Sequence, residues 1–321
     1  MNKLSKDSIL RQPIGEDSAG QRIDNYLMRQ LKGVPKSHIY RILRSGEVRV
    51  NSGRIGPDYR LQPGDLVRIP PVRTAQQTAV KGPSGAGFKP AVLFEDEALL
   101  IIDKPSGLAV HGGSGISFGV IEALRQSRPA GKFLELVHRL DRETSGVLML
   151  AKKRAALVEL HRQLQAGETE KHYFALVRGK WAERKRVVDF PLEKYVLGSG
   201  ERRVNVGIEG DEAVTIVRLE RHVGPYSLLD AELKTGRTHQ IRVHLAHLGF
   251  PILGDDKYGD FPLNKTLAKQ GLKRMFLHAH RVVIRHPLSR ERVTIEAPLP
   301  AELRQFMEAT AGKRKAHAKT V

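Results

Sequence analysis

The sequence contains no cysteine and a single tryptophan, and aromatic residues make up only 6% of its 321 residues. Without cysteine, a disulfide scaffold, a thiol nucleophile, an iron–sulfur cluster and a zinc site with cysteine ligands are excluded. No apolar run approaches the roughly 18 residues that a membrane-spanning helix needs. The polar N-terminus, Met1 to Gln12, does not have the apolar stretch of a signal peptide. These absences predict a cytoplasmic protein with no membrane-spanning segment.

Acidic residues are too few to balance the basic ones. Lys and Arg total 54 against 35 for Asp and Glu, which gives a formal net charge of +19. Such a surplus favours a polyanionic partner such as nucleic acid or an acidic membrane surface, and it does not bear on the fold. Hydrophobic residues make up 40% of the chain, enough for a substantial core. At about 150 residues per domain, the length predicts two domains.

A stretch without apolar periodicity divides the chain. Residues 74–90 are rich in Gln, Gly, Pro and Ser, a composition typical of a flexible linker. The linker separates an N-terminal domain, residues 1–73 with its core at 21–72, from a larger domain at 91–310. Residues 311–321 are basic and lack an apolar period, so we expect a frayed tail there.

The N-terminal domain is predicted to contain two short helices and a small strand pair. Apolar residues recur every four positions from Ile23 to Leu31, which indicates one helix. Pro35 and Gly46 mark the ends of a second helix, and Ser37 is a candidate N-cap. A basic helix face is usually just solvated, but here the charge has one sign and favours contact with phosphates. The residues predicted to bind RNA are Lys36, Arg41, Arg44 and Arg49.

The larger domain is predicted to be α+β, with a mixed, mainly antiparallel sheet flanked by helices. Apolar runs of strand length occur at Leu99–Ile102 and Tyr173–Val177, and residues 282–295 have the pattern of a hairpin. One helix is expected to end at Gly167, and Thr238 is a candidate cap for another. Strands and hairpins outnumber strand–helix–strand units, which argues against a doubly wound fold.

Most familiar reaction centres are missing from the larger domain. There is no phosphate-binding P-loop and no GxSxG elbow. The glycine-rich residues 111–115 lack the helix that a nucleotide site requires after them. His239, His244 and His247 are close in sequence, but no carboxylate accompanies them and Arg242 would repel a cation. We therefore expect no metal site.

The segment from His138 to Gly146 is the strongest chemical signal. It places Asp141 between two arginines at a break between apolar runs. A carboxylate beside a guanidinium stays ionised, because the opposite charge offsets the cost of desolvation. Such an aspartate can serve as a nucleophile, as a base or only as an ion-pair partner. With Arg242 and the ring of Tyr173, it would suit a flipped nucleobase that stacks on the ring.

With these segments the chain resembles the RluA family of pseudouridine synthases over residues 15–307, and its N-terminal part resembles the S4 RNA-binding domain. The motifs that carry the family resemblance are Asp103–Gly107, His138–Gly146, Lys171–Tyr173, Gly236–His244 and Phe276–Ala279. Asp103 departs from the asparagine that is frequent in relatives, and we expect this residue to be structural. Within the family, the chain is most similar to members that modify 23S ribosomal RNA.

The resemblance implies a pseudouridine synthase fold and conversion of uridine to pseudouridine without cofactor or metal. It implies that 23S ribosomal RNA or a large-subunit precursor is the partner of a monomeric enzyme. Asp141 becomes the catalytic aspartate, Arg242 its partner, and Tyr173 the ring stacked on the base. The implied substrate-binding residues are Arg139, which holds the base flipped out, Leu277, an apolar wall, and His138 and Arg237.

Three alternatives remain at this stage. The first is a ribosome-assembly factor that binds RNA without catalysis, which would not need the Asp141, Tyr173 and Arg242 combination. The second is a glycosidase, which usually has two carboxylates on either side of the bond, whereas Asp141 and Glu143 are only two positions apart. The third is a different RluA subfamily that acts on other 23S sites or on tRNA.

Overall fold

A computed structural model describes residues 9–31, 33–72, 88–112, 118–128 and 133–317, with side chains described up to residue 312. The chain forms two compact units, residues 1–84 and 85–321. Most of the predicted linker lies outside the described residues. In the part of the chain that is described, no helix has both the length and the apolar character needed to cross a bilayer.

The smaller unit has two helices against an antiparallel sheet. Its elements are β1 (Leu10–Pro13), a short 3-10 helix (Glu16–Ser18), α1 (Ile23–Gln30), α2 (Lys36–Arg44), β2 (Arg49–Val50), β3 (Gly53–Arg54) and β4 (Leu66–Ile69), with strand order β1-β4-β2-β3. Both predicted helices are confirmed, and their apolar stripes are buried in one core. The predicted cap at Ser37 is wrong. Pro35 is the N-cap, with its ψ of 141° in the extended region, so Ser37 lies inside the helix.

The larger unit is built on one ten-stranded sheet. Its elements are β5 (Ala91–Glu95), β6 (Leu99–Lys104), α3 (Val120–Gln126), β7 (Glu135–Leu136), β8 (Ser145–Ala151), α4 (Arg154–Gln165), β9 (Glu170–Arg178), β10 (Lys185–Val188), β11 (Leu192–Val196), β12 (Arg202–Val206), β13 (Thr215–Val223), β14 (Tyr226–Leu233), α5 (Gln240–His247), α6 (Phe261–Lys269), β15 (Leu277–Arg285), β16 (Arg292–Glu296) and α7 (Ala301–His317).

The sheet order is β10-β13-β14-β9-β15-β8-β6-β5, with β16 paired to β15 and β7 paired to β8. Within the described strands, only the β15–β8 pair is parallel. The predicted α+β class and mainly antiparallel sheet are therefore confirmed. Strands β11 and β12 form a separate two-stranded hairpin.

The register of three neighbouring strands brings the predicted site residues together. Tyr173 on β9 is opposite Ala279 on β15, and Ala279 is opposite Gly146 on β8. Gly146 has a φ of +110°, and a Cβ atom there would lie 2.2 Å from the carbonyl oxygen of Ala279. Only glycine allows this approach. Because Asp141 lies in the loop that leads into β8, the close contact brings that loop beside Tyr173.

The start of α5 differs from the prediction. Its N-cap is His239, in the left-handed region with a φ of 55°, and not Thr238. His239 makes no side-chain capping hydrogen bond, and the Gln240 side chain binds residues before the helix: its Oε1 accepts a hydrogen bond of 3.0 Å from the backbone N–H of Arg237. Its Nε2 also donates to the carbonyl oxygen of Val214 on the segment before β13. A tertiary contact therefore sets this helix start.

Two other expectations need correction. Helix α7 continues through His317, so the predicted tail at 311–321 begins as helix. Helix α3 begins at Val120, shortly after the glycine-rich segment, whereas no helix was expected to follow it. Residues 113–117 of that segment lie outside the described part of the chain.

Candidate active site

The larger unit contains a cleft of about 1270 Å³. The β7–β8 loop, β9, the β11–β12 hairpin, the start of α5 and β15 contribute to its walls. All seven residues predicted for catalysis and substrate binding line it: His138, Arg139, Asp141, Tyr173, Arg237, Arg242 and Leu277. The predicted residues, from His138 to Leu277, are up to about 140 positions apart in sequence and thus share one cavity.

The Asp103–Gly107 motif forms hydrogen bonds to the backbone of the loop that carries Asp141. Lys104 Nζ and the backbone N–H of Gly107 both donate to the carbonyl oxygen of Arg142, at 3.1 and 2.9 Å. Lys104 is fully buried and also donates to two carbonyl oxygens of the turn that follows it. Burial lowers the pKa of Lys104 to about 7. Its three donors are matched by three acceptors, so this side chain anchors the backbone next to Asp141.

One oxygen of Asp141 is held and the other is available. Oδ2 accepts a hydrogen bond of 3.1 Å from Arg242 Nη1. The Asp141 side chain is 28% exposed, so it remains accessible from the cleft. Among the described residues, none donates a hydrogen bond to Oδ1. The carboxylate is thus oriented through Oδ2, with Oδ1 left for a substrate.

Arg242 is itself fixed by a buried ion pair. Its Nε and Nη2 donate to the two oxygens of Asp255 at 2.8 and 2.7 Å, and the Asp255 side chain is fully buried. Asp256 accepts a longer bond of 3.3 Å, and the Tyr258 ring lies 5.2 Å from the guanidinium carbon. Burial acts to lower the pKa of Arg242, but Asp255 and Asp141 raise it overall. This arginine therefore stays charged and presents Nη1 to Asp141 in one orientation.

An aromatic ring and an apolar side chain form one wall of the cleft. Tyr173 is 7% exposed, and burial together with the negative charge of Asp141 raises the pKa of its phenol. Leu277, at the start of the neighbouring strand β15, is 4% exposed. Arg139 is exposed, and it forms no ion pair with any residue that the structure describes. A neutral ring beside a free cation suits a planar base attached to a phosphodiester backbone.

Two of the predicted substrate-binding residues are partly used inside the protein. His138 Nε2 accepts a hydrogen bond of 3.1 Å from the backbone N–H of Met149 on β8. Burial lowers the pKa of His138 to about 4, so its ring is neutral. Arg237 Nε donates to the carbonyl oxygen of Glu212 at 2.9 Å, while the side chain remains 41% exposed. Both residues line the cleft with part of their hydrogen-bonding capacity engaged.

The sequence prediction missed Asp255, Tyr258 and the β11–β12 hairpin as parts of the site. The segment around Asp255 has the acidic pair Asp255–Asp256 in a strongly basic chain, which was the one available signal. Nothing in the local pattern connects this pair with Arg242, which is 13 residues earlier. The sequence of the β11–β12 hairpin contains no obvious chemical motif. Only the folded structure brings the hairpin to the cleft.

One group of side chains in the described residues has the composition of a metal site. The ligand atoms of His172, Asp230 and His280 lie within 4.8 Å of one another. His172 precedes Tyr173 on β9, so the group lies on the face of the sheet opposite the cleft. Arg281 Nη2 is 3.2 Å from His172 Nε2, and this guanidinium disfavours a divalent cation.

The predicted RNA-binding residues of the smaller unit lie on and beside α2. Lys36, Arg41 and Arg44 are exposed, whereas Arg49 is half-buried. Arg49 Nε donates to the carbonyl oxygen of Gly46 at 3.2 Å, so part of its guanidinium is used within the unit. The three exposed residues leave α2 with a basic face available to phosphates.

Comparison with known proteins defines the class. The profile of the RNA pseudouridylate synthase family matches residues 98–247, and that of the S4 domain matches residues 21–67. Two solved human structures, RNA Pseudouridylate Synthase Domain Containing 4 and Domain Containing 1, each match with a TM-score of 0.55 and 24% identity. Each match covers 69% of this chain. It covers 93% of the Domain Containing 4 chain and 94% of the Domain Containing 1 chain, which shows a shared fold. The larger unit therefore has the fold of a pseudouridine synthase, an isomerase.

Curated relatives match nearly the whole chain. Ribosomal large subunit pseudouridine synthase C of Pasteurella multocida (strain Pm70) is 51% identical, with 96% of this chain and 98% of the relative covered. The protein of the same name from Escherichia coli (strain K12) is 51% identical, with 97% and 100% covered. The Yersinia pestis protein of that name is 53% identical, with 92% and 94% covered. The chain belongs to the RluA family of pseudouridine synthases and carries an S4 domain.

Proposed function

We propose that this protein converts specific uridines of 23S ribosomal RNA to pseudouridine, acting in the cytoplasm on the RNA or on a large-subunit precursor. Support comes from the relatives, whose name specifies the ribosomal large subunit, and from the net charge of +19. The observation that carries the chemistry is the Asp141 carboxylate, bound through Oδ2 to Arg242 in the cleft that Tyr173 also lines.

The reaction rearranges the nucleoside and adds nothing to it. The bond between ribose C1′ and uracil N1 breaks, the uracil turns, and a bond forms between C1′ and C5. The proton on C5 is lost and N1 gains one, so the overall composition is unchanged. Asp141 Oδ1 either attacks C1′ or removes a proton from the ribose. Both routes use the same carboxylate, and neither requires a cofactor or metal.

The apolar wall supplies binding energy for the flipped base. Extruding a base from structured RNA costs a few kcal/mol. Stacking on an aromatic ring returns roughly 1–3 kcal/mol, which Tyr173 provides in its neutral form. Leu277 closes the same wall and excludes water from the detached uracil. Arg139, with its exposed guanidinium, holds the flipped nucleotide, and His138 and Arg237 contact it from the cleft walls.

The two domains divide the work. The S4 domain, at 1–73, contacts phosphates through Lys36, Arg41, Arg44 and Arg49, and the catalytic domain, at 91–310, performs the isomerisation. The sequence between them, 74–90, acts as the linker, and the basic end at 311–321 adds charge. The seven residues predicted for catalysis and substrate binding all line one cleft of the larger unit. The proposed enzyme acts as a monomer.

The test uses Asp141→Asn with Glu143→Gln as the matched control, since both changes replace a carboxylate of the same loop by its amide. Pseudouridine in purified 23S ribosomal RNA is mapped by carbodiimide modification and primer extension, and RNA affinity is measured by filter binding. We expect Asp141→Asn to abolish product with near-normal affinity, and Glu143→Gln to remain active. Turnover by Asp141→Asn would refute its role.

The same assay separates the alternatives. Binding of ribosomal RNA by the unmodified protein without any pseudouridine would indicate an assembly factor. Pseudouridine in tRNA but not in 23S ribosomal RNA would indicate a different substrate for the same chemistry. Loss of activity in Glu143→Gln as well would favour a mechanism with two carboxylates.

A further inference from the structure

A histidine that the mechanism does not use lies beside the catalytic carboxylate. His239 Nε2 is 3.9 Å from Asp141 Oδ2, the oxygen that Arg242 also contacts. The His239 side chain is 15% exposed and lines the cleft. Its backbone has a φ of 55° and a ψ of 19°, a conformation that residues other than glycine adopt infrequently. A strained residue next to a reacting group is a candidate for a functional role.

Hydrogen bonds on the far side of the ring determine where His239 carries its proton. The Tyr258 hydroxyl oxygen accepts a hydrogen bond of 3.0 Å from the backbone N–H of Val204 and lies 2.8 Å from His239 Nδ1. The hydroxyl proton is therefore free to be donated to Nδ1, which places the ring proton on Nε2. The opposite tautomer would direct a lone pair at the Asp141 carboxylate, and it would leave the phenol proton without an acceptor among the described residues.

The ring is neutral in this arrangement. Burial lowers the pKa of His239, and the nearby positive charges of Arg242 and Lys257 act in the same direction, although Asp141 opposes them. A neutral imidazole with its proton on Nε2 directs the positive end of its N–H dipole toward Asp141 Oδ2, across 3.9 Å, a distance longer than a hydrogen bond. It adds no positive charge to the ion pair with Arg242.

We propose that His239 is a positioning residue for Asp141: its Nε2–H, oriented by the Tyr258 hydroxyl, directs the carboxylate so that Oδ2 faces Arg242 and His239 while Oδ1 faces the substrate. The inference rests on the proposed function, because it concerns the same carboxylate. It assigns a role to the His239 ring that is distinct from substrate binding, since the ring acts through Asp141.

The hairpin β11–β12 is part of this arrangement. Val204 on β12 is the residue that donates to Tyr258, and Arg203 Nη1 donates to the carbonyl oxygen of Lys257 at 3.1 Å. Lys257 Nζ in turn contacts Glu201 Oε1 at 2.6 Å. The hairpin is thus bound at several points to the segment that holds the Tyr258 hydroxyl. The position of the hairpin over the cleft therefore influences the orientation of His239.

The first test compares His239→Asn with His239→Gln. Asparagine tolerates the left-handed backbone and places a polar atom near the Nδ1 position, but it has no donor at the Nε2 position. Glutamine extends an amide N–H to about that position. We expect kcat to fall about tenfold in His239→Asn with KM for 23S ribosomal RNA unchanged, and His239→Gln to recover a large part of that loss.

A structural role for His239 predicts the reverse order, because glutamine fits the left-handed backbone less well than asparagine does. Equal kcat values for His239→Asn and the unmodified protein, or a change confined to KM, would also overturn the proposal. The control is His247→Asn, the same substitution at an exposed position of the same helix that does not line the cleft. We expect its kcat to be unchanged.

The second test examines Tyr258→Phe, which removes only the hydroxyl. We expect its kcat to fall about as much as that of His239→Asn, and the double variant to be no slower than either single one, because both changes remove the same donor. Multiplicative losses in the double variant would show that Tyr258 does not act through His239.

A measurement that requires no activity tests the tautomer directly. Long-range proton–nitrogen spectra of the full chain with ¹⁵N-labelled histidine distinguish a proton on Nε2 from one on Nδ1, and the His239→Asn spectrum identifies the signal. We expect His239 to be in the Nε2–H form in the unmodified protein. In Tyr258→Phe we expect this form to be absent or mixed with the other tautomer. An imidazolium or an Nδ1–H form in the unmodified protein would overturn the inference. A protein that fails to modify RNA would instead count against the proposed function, so the two failures are distinguishable.

Discussion

Asp255→Asn is the change for which the structure makes the most detailed prediction. The carboxylate is fully buried and forms both short contacts that fix Arg242. The substitution keeps the shape and an acceptor oxygen for the backbone N–H groups of Lys257 and Tyr258, which now bind Asp255 Oδ1 at 2.8 and 3.0 Å. It removes the negative charge that pairs with the guanidinium of Arg242, a side chain that is only 3% exposed.

Removing one partner of a buried ion pair costs about 3–5 kcal/mol in stability. Arg242 would keep contacts with Asp141 and Asp256, so we expect the lower end, about 3 kcal/mol, for Asp255→Asn. Asparagine cannot accept both guanidinium N–H groups as a carboxylate does, so Nη1 loses its fixed direction toward Asp141. We expect kcat to fall about a hundredfold, equivalent to about 2.7 kcal/mol of transition-state stabilisation.

Asp256→Asn is a control at the next position, because Asp256 contacts the same guanidinium at 3.3 Å but is 62% exposed. Exposed ion pairs contribute about 0–1 kcal/mol, so we expect little change in stability or kcat. Urea denaturation measures the first quantity, and single-turnover pseudouridine formation measures the second. Equal effects of the two variants, or full activity in Asp255→Asn, would refute the reasoning that burial makes Asp255 the residue that orients Arg242.

Three other outcomes are expected. Tyr173→Phe should retain more activity than Tyr173→Ala in the pseudouridine assay, because ring stacking survives the first change; equal losses would point to the hydroxyl. Replacing Lys36 and Arg44 by alanine should reduce the slope of log K for ribosomal RNA against log salt, by about one for each phosphate that the variant no longer binds. An unchanged slope would show that these two residues do not contact RNA. Burial lowers the pKa of His278 from 6.5 to about 4. Between these two pH values, His278 therefore takes up a proton when the protein unfolds. Unfolding free energy should therefore fall as pH drops through this range, by about 2 kcal/mol at about pH 5 relative to pH 8, and His278→Gln should lack this component in urea titrations.

Local signals were sufficient for most of the secondary structure. The four-residue apolar period from Ile23 to Leu31 predicted α1, which buries one face, and the continuous apolar runs predicted β6 and β9, which are buried on both faces. The prediction of Thr238 as a helix cap was wrong, because α5 begins after His239, where the Gln240 side chain binds the carbonyl oxygen of Val214. A propensity scale cannot register that contact.

The sequence alone determined the class of fold, the motif around Asp141 and the basic character of the chain, because these depend on residue type, periodicity and charge. Only the tertiary structure decided which charges meet. Arg242 could have paired with any acidic side chain, and burial selected Asp255 as its anchor, with the partly exposed Asp141 as its partner in the cleft. His239 likewise lies near Asp141 only because of its left-handed backbone and its contact with Tyr258. Electrostatic energies depend on distance and desolvation, and the folded chain sets both.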